Sequence, residues 1–241
     1  MSDRPLLETR DLMKRFGGVQ AVSSINFTLE EGELRCVIGP NGAGKSTFFK
    51  LLTGQLRPDS GRILFRDHDI TGAETSAIAR FGIGMAMQVP SVFEGLEVRE
   101  NLHIGARRRH GEREARRRVD RILETAGLTA LAARVVSHLA HGQRALVELA
   151  IVLAAEPELL LLDEPTAGMT KGEVERTVEV IRAIARSRAL VVVEHDMNFI
   201  RMIANKVTVF HQGATLVEGS VQEVLRNPVV RDVYLGREAE V

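Results

Sequence analysis

The stretch "GPNGAGKST", residues 39–47, constrains the fold of this chain more than any other. It fits G-x-x-x-x-G-K-[ST] in full, follows the apolar run "LRCVIG", and opens the helical pattern "KSTFFKLLTG" that Gly54 closes. Strand, glycine-rich turn and helix in that order belong to an α/β sheet whose strand ends carry ligand-binding loops. Gly39, Gly42 and Gly44 let the backbone curl so that its N–H groups point inward. The helix beginning near Lys45 adds its positive dipole end. Lys45 is placed to reach β- and γ-phosphates, and Ser46 offers a hydroxyl to Mg²⁺. A plain turn between strand and helix needs neither that lysine nor that serine.

The rest of the chain reads in the same terms. "LLETRDLMKRF" and "VSSINFTLEEGELRCVIG" alternate in strand fashion, with Glu31-Gly32 as a turn. "GRILFRDHDIT" reads as a further strand pair. From about residue 92 the pattern turns helical. In "EREARRRVDRILETAGL", Val119, Ile122, Leu123 and Ala126 fall at helical spacing, and Gly127 suits the C′ position. In "QRALVELAIVLAAEP", Leu146, Leu149, Ala150 and Leu153 do the same, and Pro157 marks the stop. Continuous apolar runs open "LLLLDEP" and "ALVVVEHD", as expected of strands covered on both faces. Between them, "GEVERTVEVIRAIARS" carries Val174, Val178, Ile181 and Ala185 on one helical face. "GSVQEVLRNP" sets Ser220 and Glu223 at capping-box spacing, with Pro228 beyond. The expectation is one α/β domain over residues 1–241 with a mainly parallel sheet. Its halves, 1–91 and 159–241, are interrupted by a helical insertion over 92–158.

Phosphate binding alone does not give hydrolysis. "LLLLDEP" places Asp163 and Glu164 at the C-terminal end of a strand, where open α/β sheets bind ligands. Asp163 suits the second shell of Mg²⁺, and Glu164 is placed to polarise an attacking water. A solvated acidic turn before Pro165 would explain the pair alone, but not a pair downstream of a phosphate loop. "VVVEHDM" repeats the geometry with His195 just past a buried strand, which points to a γ-phosphate contact. Gln88, in "MAMQVPSVF", is a single polar residue in an apolar stretch.

The bulk numbers narrow the setting. Zero formal net charge gives no global argument for nucleic acid or an acidic membrane surface. A single cysteine, Cys36, builds neither a disulfide framework nor a thiolate metal site, and suits a reducing cytoplasm. The opening "MSDRPLLETRDL" carries no signal-peptide h-region, and runs such as "LAIVLAA" are far below the ~20 residues that span a bilayer.

In order, these pieces resemble the ATP-binding subunit of an ATP-binding cassette (ABC) transporter, over nearly the whole chain. The resemblance implies a P-loop NTPase: a RecA-like core with an antiparallel β subdomain and an inserted helical signature subdomain. It makes "GPNGAGKST" a Walker A motif in which Gly39, Pro40, Asn41, Gly42, Ala43, Gly44, Lys45, Ser46 and Thr47 hold ATP. Gln88 matches the Q-loop glutamine, linking Mg²⁺ and the membrane subunit. Asp163 and Glu164 match the Walker B acids, "TAGMT" the D-loop, and His195 the switch histidine. Glu164, His195 and Gln88 are then the catalytic group, with Ser46, Gln88 and Asp163 around the metal. Phe16 takes the position that stacks on adenine. "LAHGQ" falls at the signature motif, whose Ala140, His141, Gly142 and Gln143 would cap the ATP held by a second cassette. Ala140 stands where a serine is common and His141 where a glycine is common. Such bulky residues are familiar in importers of branched-chain amino acids and of urea and short amides. "GELRCVIGPNGAGKST", "AGMT", "VVVEHDM" and the closing "VYLG" resemble the same branch.

The implied partners are a second cassette subunit, in a heterodimer or alternatively a homodimer, and two transmembrane permease subunits. A periplasmic or extracellular solute-binding protein acts indirectly, and nucleic acid is not a partner. The implied location is cytoplasmic, peripheral on the inner face of the membrane. Rival readings are the ATPase of an export or lipid-extraction system and a non-transport cassette protein. The latter usually carries two cassettes or a long coiled-coil insertion. "RRRHGEREARRR", residues 107–118, could meet nucleic acid or lipid headgroups, but two glutamates interrupt it and no aromatics interleave; a solvated helix face fits better. In "QVPSVFEGLEVRENL", apolar residues are expected to pack the insertion on the core, and the resemblance implies a groove here for a membrane-subunit helix, with Val92 and Phe93 as its expected positions.

Overall fold

Two separate sheets organise residues 4–235, the part described by this computed structural model. The chain enters with strands β1 (Leu7–Phe16), β2 (Val19–Leu29) and β3 (Leu34–Ile38), then helix α1 (Lys45–Leu52). Strands β4 (Ser60–Phe65) and β5 (His68–Asp69), helix α2 (Thr75–Phe81) and strand β6 (Ile83–Ala86) follow. Three helices come next, α3 (Val98–Arg107), α4 (Glu112–Thr125) and α5 (His141–Ala154). The chain returns through β7 (Leu159–Asp163), α6 (Lys171–Ala185), β8 (Ala189–Val193), α7 (Met197–Ile203), β9 (Lys206–His211), β10 (Ala214–Ser220) and α8 (Val221–Arg226). One antiparallel sheet runs β2-β1-β4-β5; the other runs β10-β9-β3-β8-β7-β6 and is parallel except for its β9–β10 hairpin.

The apolar runs build two cores by strand periodicity. Side chains alternate across a strand, so Leu160 and Leu162 of β7 join Leu190 and Val192 of β8 in a cluster covered by α3 to α6. Leu159 and Leu161 join Val191 and Val193 in a second cluster with Phe27, Phe48 and Phe210. A continuous apolar run is what a strand between two cores requires. The helical faces foreseen from spacing are also the buried ones, with Val119, Ile122, Leu123, Leu146, Leu149 and Leu153 all in the first cluster. Helix α4 ends in a Schellman motif: Leu128 N–H donates to the Leu123 carbonyl (2.7 Å) and Gly127 N–H, at φ +62°, to that of Glu124 (3.0 Å).

The Glu31-Gly32 turn does not join neighbouring strands of one sheet. It carries the chain from β2 in the antiparallel sheet to β3 at the centre of the parallel one. Accordingly β3 is buried at every position, including Arg35. That guanidinium is satisfied by Glu33 (2.6 Å), the Thr208 hydroxyl (2.8 Å), the Thr28 carbonyl and Glu218, and it lies 5.2 Å from the Phe27 ring. A buried cation is tolerated only with such partners, and these partners fasten the two sheets together. Strands β6, β9 and β10 and helices α2 and α7 have no counterpart in the sequence reading. In the β9–β10 hairpin the turn is Gln212-Gly213, both at positive φ, a pair less distinctive than Asn-Gly.

Among the described residues no helix is long and apolar enough to cross a membrane. Of the closing "VYLG", Gly236 lies outside the described residues.

Candidate active site

Four neighbouring strands of the parallel sheet bring their C-terminal ends to one edge. In the order β3-β8-β7-β6, the residues just beyond them are Gly39, Glu194 and His195, Glu164, and Met87 and Gln88. Register fixes this edge: Val37 and Asp163 both pair with Val193, and Glu164 N–H donates to the Val193 carbonyl at 2.9 Å.

The phosphate loop bends back tightly at this edge. A Cβ on Gly39 would lie 2.2 Å from the Phe210 carbonyl oxygen, and one on Gly44, at φ +99°, 2.3 Å from that of Ala21. Only glycine fits either place. Lys45 is buried, and its ammonium donates to the carbonyls of Gly39 (2.6 Å) and Pro40 (3.1 Å). Burial pulls the Lys45 amine below its ordinary range, while Glu164 and Asp163 oppose the shift. Ser46, Asn41 and Gly42 are exposed, and Thr47 and Pro40 are half-buried. The loop therefore offers a cation and exposed groups to an anion, beside two carboxylates.

Asp163 and Glu164 are half-buried. Burial pushes the Asp163 carboxyl above the usual range, with the Glu164 charge adding to the push and Lys45 pulling it down. Glu164 adopts φ +48°, a left-handed conformation that costs a non-glycine residue on the order of 1–3 kcal/mol. Gln88 Nε2 donates to Glu164 Oε2 at 2.7 Å, and His195 Nδ1 lies 3.7 Å from Glu164 Oε1. The strained backbone thus presents the carboxylate to two other polar side chains that the sequence had placed far apart. Phe16 ends β1, 47% exposed, with the Lys14 ammonium 5.8 Å from its ring centre.

The second expected nucleotide contact is built on α5. Ala140 precedes the helix, and the Gln143 side chain accepts its N–H at 3.1 Å. Ala140 has no side-chain oxygen to return the cap, so the first-turn N–H groups of Gly142 and Gln143 lack the hydrogen bond a serine would supply. His141 is exposed, whereas Gly142 is buried: a Cβ there would lie 2.6 Å from Glu173 Oε1 of α6. Close approach at Gly142 is thus to a neighbouring side chain of the same chain. A Cβ on Gly168 of the "TAGMT" turn would lie 3.6 Å from His141 Cδ2. Glu173 is held below the usual carboxylate range by hydrogen bonds from the Thr170 N–H and hydroxyl, with His141 contributing.

Two acids escaped the sequence reading. Glu194, inside "VVVEHD", is 1% exposed; it accepts from Thr166 N–H and hydroxyl, and from the N–H groups of His195 (2.9 Å) and Asp196 (3.4 Å). It ties the loop after β7 to the His195 loop. Glu148, inside "LVELA", is buried on α5 and accepts from Met87 N–H (3.2 Å) and Ser91 N–H (3.1 Å). A lone charge in an apolar run was the available sign of Glu148; Glu194, next to His195 and Asp196, had no such sign.

Near Gln88 a groove of about 440 Å³ is lined by Ile78, Met85, Met87, Phe93, Ile104 and Val152, among others. Phe93 is in it; Val92 instead packs against the helical core, which corrects the expectation for that residue. The basic run is mostly a solvated face: Arg107, Arg108, Arg109, Arg113, Arg116 and Arg117 are exposed, although Arg109 also donates to the carbonyls of Ala79, Arg80 and Glu156. Of its arginines only Arg118 is half-buried, paired with Glu156.

Among known proteins, the family described as "ABC transporter" matches residues 22–167, and that described as "Branched-chain amino acid ATP-binding cassette transporter" matches residues 214–240. LivG of Escherichia coli (strain K12), a high-affinity branched-chain amino acid transport ATP-binding protein, is 35% identical across 97% of this chain and 98% of its own. A probable LivG of Archaeoglobus fulgidus is 33% identical across 96% of this chain and 95% of its own. The ADP conformation of MJ1267, an ATP-binding cassette of an ABC transporter, superposes with a TM-score of 0.85 at 29% identity, covering 96% of this chain and 99% of that one.

Proposed function

The chain belongs to the ABC transporter family of ATPases, and on that premise we propose that it powers uptake of branched-chain amino acids, or of related solutes such as urea and amides, through separate membrane subunits. The similarity to LivG and the match over residues 214–240 support that solute class and favour import over export. The observation that carries the hydrolytic reading is the cluster in which Glu164 meets Gln88 at 2.7 Å and His195 at 3.7 Å, beside the phosphate loop.

The residues fit ATP with Mg²⁺. The Ser46 hydroxyl, the Asp163 carboxylate and the Gln88 amide oxygen are hard oxygen donors suited to Mg²⁺, which would neutralise charge on the phosphates. Lys45 and the loop N–H groups hold the phosphate chain, and Phe16 stacks on the adenine. Glu164 orients the attacking water and takes up its proton. His195 donates to the γ-phosphate. Gln88 senses occupancy through its bond to Glu164.

A second cassette completes the site. The uncapped first turn of α5 is the place for the phosphates bound by that partner, with exposed His141 and half-buried Gln143 beside Ala140, and with Gly142 held against Glu173 in the same turn. A sister cassette protein forms the heterodimer, two permease subunits receive the motion in the groove beside Phe93, and a solute-binding protein delivers cargo. The helices between residues 92 and 158 act as the signature-bearing part and residues 1–91 and 159–241 as the catalytic core, on the cytoplasmic face of the membrane. The test is ATPase activity of the reconstituted complex. Stimulation by solute-loaded binding protein with a branched-chain amino acid supports the reading; stimulation by none of the candidate solutes overturns the solute class.

A further inference from the structure

Glu148 is not among the groups placed around the nucleotide, yet it is the one acid on the buried face of α5. It is 4% exposed, and each carboxylate oxygen accepts one backbone N–H from the segment carrying Gln88. Oε2 takes Met87 N–H, immediately before Gln88, and Oε1 takes Ser91 N–H, three residues after it. Gln88 itself reaches Glu164. Glu148 also borders the groove shared with Met87, Ser91 and Phe93. One carboxylate therefore stands where three parts meet: the groove, the segment holding Gln88, and the helix whose first turn is His141–Gln143.

From this geometry we infer that Glu148 is a positioning residue that makes the Gln88 segment and α5 move as one body, so that a load in the groove reaches Gln88 and the Gly142 end of the helix together. The physical case rests on the bonds. Charge-assisted hydrogen bonds in a buried site are the strong ones, and two of them from one rigid helix fix a loop in position and orientation. A protein needs no acid here merely to fill space, because apolar Val147, Leu149 and Ala150 beside it fill the same core. Burial pushes the Glu148 carboxyl above its usual range, and the two N–H groups oppose that shift. The carboxylate thus carries a desolvation cost that the loop contacts offset.

The inference rests on the reading of Gln88 given above, and the experiment separates the two. In the assembled transporter, ATPase kcat and KM are measured for the wild type, Gln88→Ala, Glu148→Gln and the double variant. Glu148→Gln keeps the side-chain volume but turns an NH₂ group toward an N–H donor. It is expected to lower kcat by about 2- to 30-fold, the range for residues that carry coupling, with KM for ATP within about twofold of wild type. In the Gln88→Ala background it is expected to lower kcat no further, because the two act through one element. Hydrogen exchange supplies a readout independent of activity: the Met87 and Ser91 amides lose protection in Glu148→Gln while those of β7 and β8 keep it. If Gln88→Ala leaves kcat unchanged, the reading of Gln88 fails. If Gln88→Ala is impaired but Glu148→Gln has full kcat, or the two losses simply add, or the Met87 and Ser91 amides stay protected, the inference about Glu148 is overturned.

Discussion

The phosphate loop and the N-terminus of α5 differ in how completely the chain satisfies them. At the loop, Lys45 already bonds Gly39 and Pro40, and Gln88 and His195 converge on Glu164. At α5 the helix begins with an alanine where a capping hydroxyl would be, and only Gln143 turns back to bond the Ala140 N–H. At the first, polar side chains from distant segments of one chain bond one another; at the second, the first-turn N–H groups have no capping side chain, and Glu173 packs on Gly142. On the proposed reading these are two complementary half-sites for nucleotide, so chemistry and assembly can be broken separately.

The largest break is expected at the phosphate-loop end. Glu164→Gln should lower ATPase kcat by about 10²–10⁴-fold with ATP affinity kept, because only the group orienting water changes. Steady-state hydrolysis and calorimetric ATP binding check this; near-normal hydrolysis would remove Glu164 from its role. At the α5 end, Gly142→Asp should lower turnover of the assembled complex by about 100-fold through like-charge repulsion of phosphate. Because a Cβ there lies 2.6 Å from Glu173 Oε1, the comparison is with Gly142→Ala, both made in a Glu173→Ala background. ATP binding to the isolated subunit should survive in both.

Lys45→Ala should weaken ATP binding by about 10- to 100-fold, since it removes a charge-assisted donor to phosphate. Unchanged affinity in calorimetry would mean that the loop is misread. The smallest effect is expected for His141→Tyr, which should keep turnover within about threefold. No proton transfer is assigned to His141, and its ring lies beside Gly168 on the surface. Loss of turnover with assembly intact would give His141 a chemical role.

Much of the phosphate-loop end was legible in the sequence because its chemistry is local. "GPNGAGKST", "LLLLDEP" and "VVVEHDM" each put reactive residues directly after a strand, and a parallel sheet brings strand ends together. What was not legible depended on register and burial. Gln88 had a role only through the resemblance; its bond to Glu164 follows from β6 and β7 lying side by side. Glu148, Glu194 and Arg35 look like surface charges by residue type, but each is buried and tied to segments distant in the chain. The contact between Gly142 and Glu173 is invisible in sequence, because it joins the first turns of two helices from different parts of the chain.

The claim that the α5 end is completed by a second cassette is tested most directly by ATP-dependent association. Sedimentation velocity would be run on the Glu164→Gln subunit, alone and mixed with a sister cassette of the same transporter, with and without ATP and Mg²⁺. The expected result is a doubling of mass that appears only with ATP and is lost when Gly142→Asp and Glu173→Ala are added. A particle that stays monomeric under every condition, while the wild-type subunit hydrolyses ATP at a rate per subunit independent of concentration, would contradict it.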